Sequence, residues 1–343
     1  MAKQDDLNRA RERFRRGDPD GAAEILEPIV ESDPSNVAAR LLLARCYSRM
    51  RQGQDAVAEI EVALEAEPEN TEALTLRGAE HYFADELEAA SEVLEGAIER
   101  DPSAIEAYVR LSQVRTDEKL YEEAAELLSQ AEEKAGEERA LLALVRMGRV
   151  YRAMQGRKHA EALQLISDNE ELWPESPYIR ATVLSNEAVI HARQRDFSRA
   201  RVLLVEALDV DPYFYSARSL LGQIAALQRD HAFAVEQLSQ VVENDDTPGA
   251  RVRYALATSM NALGRHEEAS QHYAKALEGG LTGLPAFTAR LNVLVPNPIA
   301  RTAIGILLLL IIAFFLIRTL PPLVAIVIVA LIALLGRQIL RGA

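Results

Sequence analysis

Arg45, Arg110, Arg149 and Arg152, together with Gln113, Asn186, Gln223, Tyr254 and Asn261, are the residues of this chain best suited to holding another molecule. A guanidinium presents a fork of donors that fits a carboxylate. Asn and Gln carboxamides bond an extended backbone, and a tyrosine adds a hydroxyl and a flat apolar ring. The chemistry on offer is binding. In an acidic chain the same arginines have a second reading, in which they pair with carboxylates of their own fold. No Gly-rich phosphate loop followed by Lys-Ser/Thr occurs, and no H-E-x-x-H. His81, His159, His191, His231, His266 and His272 are scattered, and the last two, six residues apart, do not share a helix face. They read as surface or packing residues. No catalytic, cofactor-binding or metal-binding residue is expected.

The charge is unevenly spread. Residues 1–278 carry 33 basic and 52 acidic side chains, and after Glu278 the only charges are Arg290, Arg301, Arg318, Arg337 and Arg341. An acidic field of this size repels a polyanion, so nucleic acid is not an expected partner. One cysteine, Cys46, permits no disulfide within the chain and suits a reducing compartment. The first residues, MAKQDDLNRARERFRRGD, lack the apolar core of a secretory signal.

The elements that must position the binding residues repeat. Asp33-Pro34, Glu67-Pro68 and Asp101-Pro102 follow one another at steps of 34 residues, and Asp211-Pro212 continues the series after a slip. Before these prolines, Ala56, Ile60 and Ala63, then Ala90, Leu94 and Ala97, then Ala200, Leu204 and Ala207 keep a spacing of four and three, one face of a helix. Upstream, Leu43-Ala44 with Tyr47, Arg77-Gly78 with His81, Met147-Gly148 with Tyr151, and Leu221-Gly222 with Ala225 mark a partner helix whose small residue permits close approach. Proline ends the second helix. Carboxylate runs such as Glu122-Glu123 and Glu267-Glu268 open second helices, where they favour the helix dipole.

With these positions in place the chain resembles the tetratricopeptide repeat (TPR) family. Eight units fall at about 3–36, 37–70, 71–104, 105–138, 139–176, 181–214, 215–248 and 250–283, the fifth with about two extra residues near Gly156–His159. The first unit, with Arg9 and Arg13 in its leading helix, has the polar outer face of a capping repeat. The resemblance implies an all-α fold, a right-handed superhelix (α-solenoid) over residues 1–283. It also implies a concave groove, lined by the first helix of each pair, that takes a peptide or protein partner. The nine residues named at the outset fall on that groove by repeat register. The carboxylate clamp of chaperone-binding members is not matched: its starting positions hold Leu41 and Arg45, Thr75 and Ala79, or Val109 and Gln113.

The tail is of another kind. Residues 303–336 are almost wholly apolar but interrupted by Arg318, Pro321 and Pro322. As one helix they would run about 51 Å at about 1.5 Å per residue, against a bilayer core of about 30 Å. Split at the prolines and extended to about 299–319 and 322–341, they form the two spans of a transmembrane hairpin, the membrane domain being set at 301–343. Arg318 then marks the tip, and Arg301 and Arg337 mark the near interface. A shallow re-entrant wedge is the alternative. Arginine counts place the array and both chain ends in the cytoplasm, and the Ala- and Arg-rich repeats suggest a bacterial cytoplasmic membrane. Residues 284–300, broken by Pro285, Pro296 and Pro298, read as a linker. The expected partners are a protein or peptide in the groove, the lipid bilayer and further copies of the chain. The expected role is a membrane-anchored scaffold, with a membrane-shaping, self-associating protein as the alternative.

Overall fold

Alanine and one larger apolar residue, spaced by four and three, bury a narrow stripe against the neighbouring helix, and this decides the architecture. The computed structural model describes residues 2–245, 248–297, 300 and 307, and among these every regular element is helical. Two compact units form, 1–248 and 249–343. In the first, paired helices follow in order: α1 (Ala2–Arg15) and α2 (Pro19–Ser32), α3 (Val37–Arg49) and α4 (Gly53–Ala66), α5 (Thr71–Phe83) and α6 (Leu87–Arg100). They continue with α7 (Ile105–Asp117) and α8 (Tyr121–Ala135), α9 (Arg139–Gln155) and α10 (His159–Asp168), α11 (Pro177–Arg193) and α12 (Phe197–Val210), α13 (Tyr215–Leu227) and α14 (His231–Asn244). The second unit holds α15 (Ala250–Ala262), α16 (His266–Glu278) and α17 (Gly283–Leu294).

The apolar stripes are buried as the spacing requires. Ala56, Ile60 and Ala63 are at most 1% exposed, as are Ala90, Leu94 and Ala97 and also Ala200, Leu204 and Ala207. Close approach explains the glycines of the first helices. A Cβ added at Gly78 would lie 2.6 Å from Leu94 Cγ, and one at Gly222 would lie 2.6 Å from Leu238 Cγ. Several helix starts are capped by side chains: Asn36 Oδ1 accepts from the Ala39 amide (3.0 Å) and Asn70 Oδ1 from that of Ala73 (2.9 Å).

Each hairpin turns through one residue in the left-handed region: Gly17, Arg51, Asp85, Lys119, Arg157, Arg195, Arg229 and Gly264. Successive members are 34 residues apart except at Arg157 and Arg195, which each follow by 38, and at Gly264, which follows by 35. The slip therefore sits inside helices. α9 and α11 have 17 residues where α3, α5 and α7 have 13. The extra residues expected near Gly156–His159 are one added turn of α9. The sixth hairpin starts at Pro177, not 181, because α10 is short and a 3₁₀ segment, Glu170–Glu175, leads directly into α11.

Residues 284–300, read as a linker, contain a helix. Gly283–Leu294 is helical despite Pro285. Pro285 falls in the first turn, where its missing amide has no intrahelical partner to lose. Among the described residues no helix is long and apolar enough to cross a membrane. Apart from Ala300 and Leu307, the hairpin expected at 299–319 and 322–341, with Arg301, Arg318, Pro321, Pro322 and Arg337, lies outside the described residues.

Candidate interaction groove

The first helices of successive hairpins stand side by side, so residues one repeat apart come within reach. Arg45 on α3 donates from Nε to Glu72 Oε1 on α5 (3.0 Å) and from Nη2 to Glu106 Oε2 on α7 (2.9 Å). Arg110, one turn beyond Glu106, brings its Nη2 to 3.5 Å from the other carboxylate oxygen and donates from Nη1 to Gln113 Oε1 (3.4 Å). Burial by itself would raise the Glu106 carboxyl, but Arg45 and Arg110 outweigh it and hold the group at about 2. Tyr178, which α11 brings across from two hairpins away, also helps to raise the Arg110 guanidinium against its burial.

Tyr178 leads to a second cluster. The Arg49 guanidinium sits 4.3 Å above its ring and pairs with Asp211, a carboxylate with no solvent exposure. Arg51 Nε lies 3.2 Å from Asp245 Oδ2. Tyr213 packs against the apolar cluster of α1, α2 and α3. Within residues 1–248, then, the first two hairpins are fastened to the sixth and seventh.

A third network spans α5, α7 and α9. The Asp117 carboxylate accepts from Tyr82 (2.7 Å) and Tyr151 (2.7 Å), and Gln155 Nε2 donates to the Tyr151 hydroxyl (3.0 Å). Burial pushes both phenols up, Tyr151 to about 12, with Asp117 adding to it. These hydroxyls stay protonated and donate.

Of the nine expected groove residues, the structure gathers Arg45, Arg110 and Gln113 about Glu106. Arg149 pairs with Glu132, which Arg146 shares, and Arg152 Nη2 lies 3.4 Å from Glu161 Oε1. Asn186 is 9% exposed, and its Nδ2 has no partner among the described residues. Gln223 bonds the Ser219 carbonyl (3.3 Å) and hydroxyl (3.0 Å) one turn back. In the second unit, Tyr254 packs its ring 5.7 Å from that of Tyr273, and Asn261 Oδ1 meets His266 Nδ1 at 2.9 Å. Glu106, Asp211, Arg49 and Tyr178 were not among the expected residues. In the sequence Asp211 is marked only as the residue before a helix-ending proline.

Beside the Arg51–Asp245 pair a recess of about 610 Å³ opens between α3, α4 and α5. Val57 and Phe83 give it an apolar wall, and both are more than a third exposed. Glu80, bonded by the Ser48 hydroxyl, faces it. Burial raises this carboxyl against the opposing effects of Ser48 and Arg51. Arg51 at the lip and Glu80 at the wall are suited to the two charge signs of a peptide. Among the described residues no group of three or more His, Cys, Asp and Glu could hold a metal ion.

Stacked helical hairpins of 34-residue step, each turning through one left-handed residue, define an αα-repeat solenoid. Tetratricopeptide repeat profiles match residues 13–79, and residues 75–140 and 186–246. The chain is a tetratricopeptide repeat protein. Among solved structures, one of a Cut9–Hcn1 hetero-tetramer of the APC/C has a TM-score of 0.57 at 16% identity, covering 85% of this chain and 55% of that one. The chain thus spans about half the length of that relative. Pseudomonas aeruginosa PilF (TM-score 0.47, 18% identity, 64% of this chain and 97% of that one) also matches. So does a tetratricopeptide repeat protein from Parabacteroides merdae (TM-score 0.36, 14% identity, 85% and 98%). At these identities the likeness is one of fold, carried by the first of the three. A search of curated proteins finds no match.

Proposed function

We propose that this protein is a non-catalytic scaffold that binds a protein partner on its repeat array and is held at a membrane by its C-terminal apolar segment. The observation that carries the reading is the division of the chain. Helical hairpins occupy 2–278, and beyond Glu278 all acidic charge stops and an apolar run of spanning length follows. Family likeness supports the protein partner; hydropathy and the arginine distribution support the tether and a cytoplasmic array. Ordered helices arranged around their own ion pairs hold the recess at Val57 and Phe83 open without a partner, which lowers the ordering cost of binding there.

The test is crosslinking in intact cells, with mass spectrometry of membrane and soluble fractions. Four chains are compared: wild type, Phe83→Glu, Arg149→Glu/Arg152→Glu, and a chain ended after Asn297. The reading expects the full chain in the membrane fraction with a distinct crosslinked protein. That adduct is lost in Phe83→Glu if the recess takes the partner, or in the double arginine variant if the groove does. The truncated chain becomes soluble. Self-crosslinks alone, unchanged in every variant, would replace the scaffold by the self-associating, membrane-shaping reading.

A further inference from the structure

Among the described residues of the second unit, α17 is the last long helix, and it turns a row of large apolar side chains to water. Leu284, Phe287, Leu291 and Leu294 are 82%, 67%, 39% and 78% exposed. Their spacing of three, four and three places them on one face. The opposite face is occupied: Ala286 (5%), Ala289 (0%) and Asn292 (5%) are buried. α17 thus packs by its small residues and turns its large ones outward. α17 has no acidic residue, and its one basic residue, Arg290, is exposed beside the stripe.

We propose that this face of α17 lies on the surface of an anionic lipid bilayer. The inference rests on the membrane tether proposed above and adds a second, peripheral contact. Three features select lipid as the occupant. First, α17 ends at Leu294, and the apolar run begins at residue 303. Nine residues span at most about 30 Å, so an inserted run keeps the helix near the headgroups. Second, every charge after Glu278 is an arginine, which complements anionic headgroups and leaves a second copy of this face nothing to pair with. Third, large apolar residues on one side with a flanking arginine are what an interfacial helix needs to settle into the boundary of headgroups and acyl chains.

The experiment uses the full chain reconstituted in phosphatidylcholine vesicles, with or without phosphatidylglycerol. Cys46→Ser removes the native thiol. An environment-sensitive fluorophore is placed by Phe287→Cys, or by Gln271→Cys on the exposed side of α16 as a control. Flotation reads the tether, spin-labelled lipids read contact with the bilayer, and circular dichroism confirms the fold. Co-flotation with quenching at 287 at least about twofold that at 271, greater with phosphatidylglycerol, supports the proposal. Co-flotation with a water-exposed label at 287 overturns it and leaves the tether standing. A label shielded from water but not quenched by lipid also overturns it, because protein then covers the stripe. Failure to float removes the tether and the proposal together.

Discussion

Arg45 and Leu284 are both out of place by the rules of their own residue types: one is a charge turned into a protein, the other an apolar side chain turned out of it. The fold treats them differently. Arg45 is answered by Glu72 and Glu106 of its own chain, and its neighbour Arg49 by Asp211. Leu284 stays 82% exposed, with three more apolar residues along the same face. The inner face of the hairpins completes its electrostatics internally, and a ligand arriving there must compete with carboxylates already in place. Among the described residues, the apolar face of α17 has no such internal answer.

The most damaging way to break this contrast is Asp211→Ala, which leaves Arg49 without its carboxylate. The expected loss is about 3 kcal/mol in urea unfolding, from removal of one partner of a buried pair. A loss under about 1 kcal/mol would mean that the pair does not fasten the distant hairpins. Glu106 gives a smaller effect with a pH signature. Its folded value near 2 lies below the ordinary 4.5, so its contribution is present above about pH 4.5 and fades as pH falls toward 2. Discounted for partial exposure, that is about 2 kcal/mol. Wild type should exceed Glu106→Gln by this amount at pH 6, and the gap should narrow below pH 4.5 and close only near pH 2; a constant gap would refute the arginine effect. Packing between the helices of one hairpin is probed by Gly222→Ala. Its new methyl meets Leu238 and should cost about 1–2 kcal/mol in the same assay. At the other end of the scale, Leu284→Ser/Leu294→Ser should change stability in detergent by no more than about 0.5 kcal/mol while reducing lipid contact. A large loss there would show that the stripe is part of a core.

Much of the solenoid was legible in the sequence because its causes are local. The alanine–large–alanine stripes of α4, α6 and α12 follow from helix geometry alone, and the small residues Gly78 and Gly222 sit where two helices touch. The groove was legible as a set of positions but not as a state. That Glu106 draws Arg45 and Arg110 together depends on the curvature of the stack, and Arg45 and Glu106 are 61 residues apart. The Arg49–Asp211 pair spans 162 residues and depends on how far the hairpins turn before they meet. No period shows that distance. At α17 a proline in the first helical turn does not oppose a helix, and the spacing of 284, 287, 291 and 294 is that of one helix face.

An open row of hairpins comes apart from its ends, each repeat leaving at a cost set by its neighbours. Arg49 and Asp211 tie the second hairpin to the end of the sixth and convert that row into a loop of helices with no loose beginning. Fraying at α1 and α2 should then be felt at α11 and α12 as well as at α3, and the unit should melt in one sharp event where an unclosed row of equal length would unzip in stages.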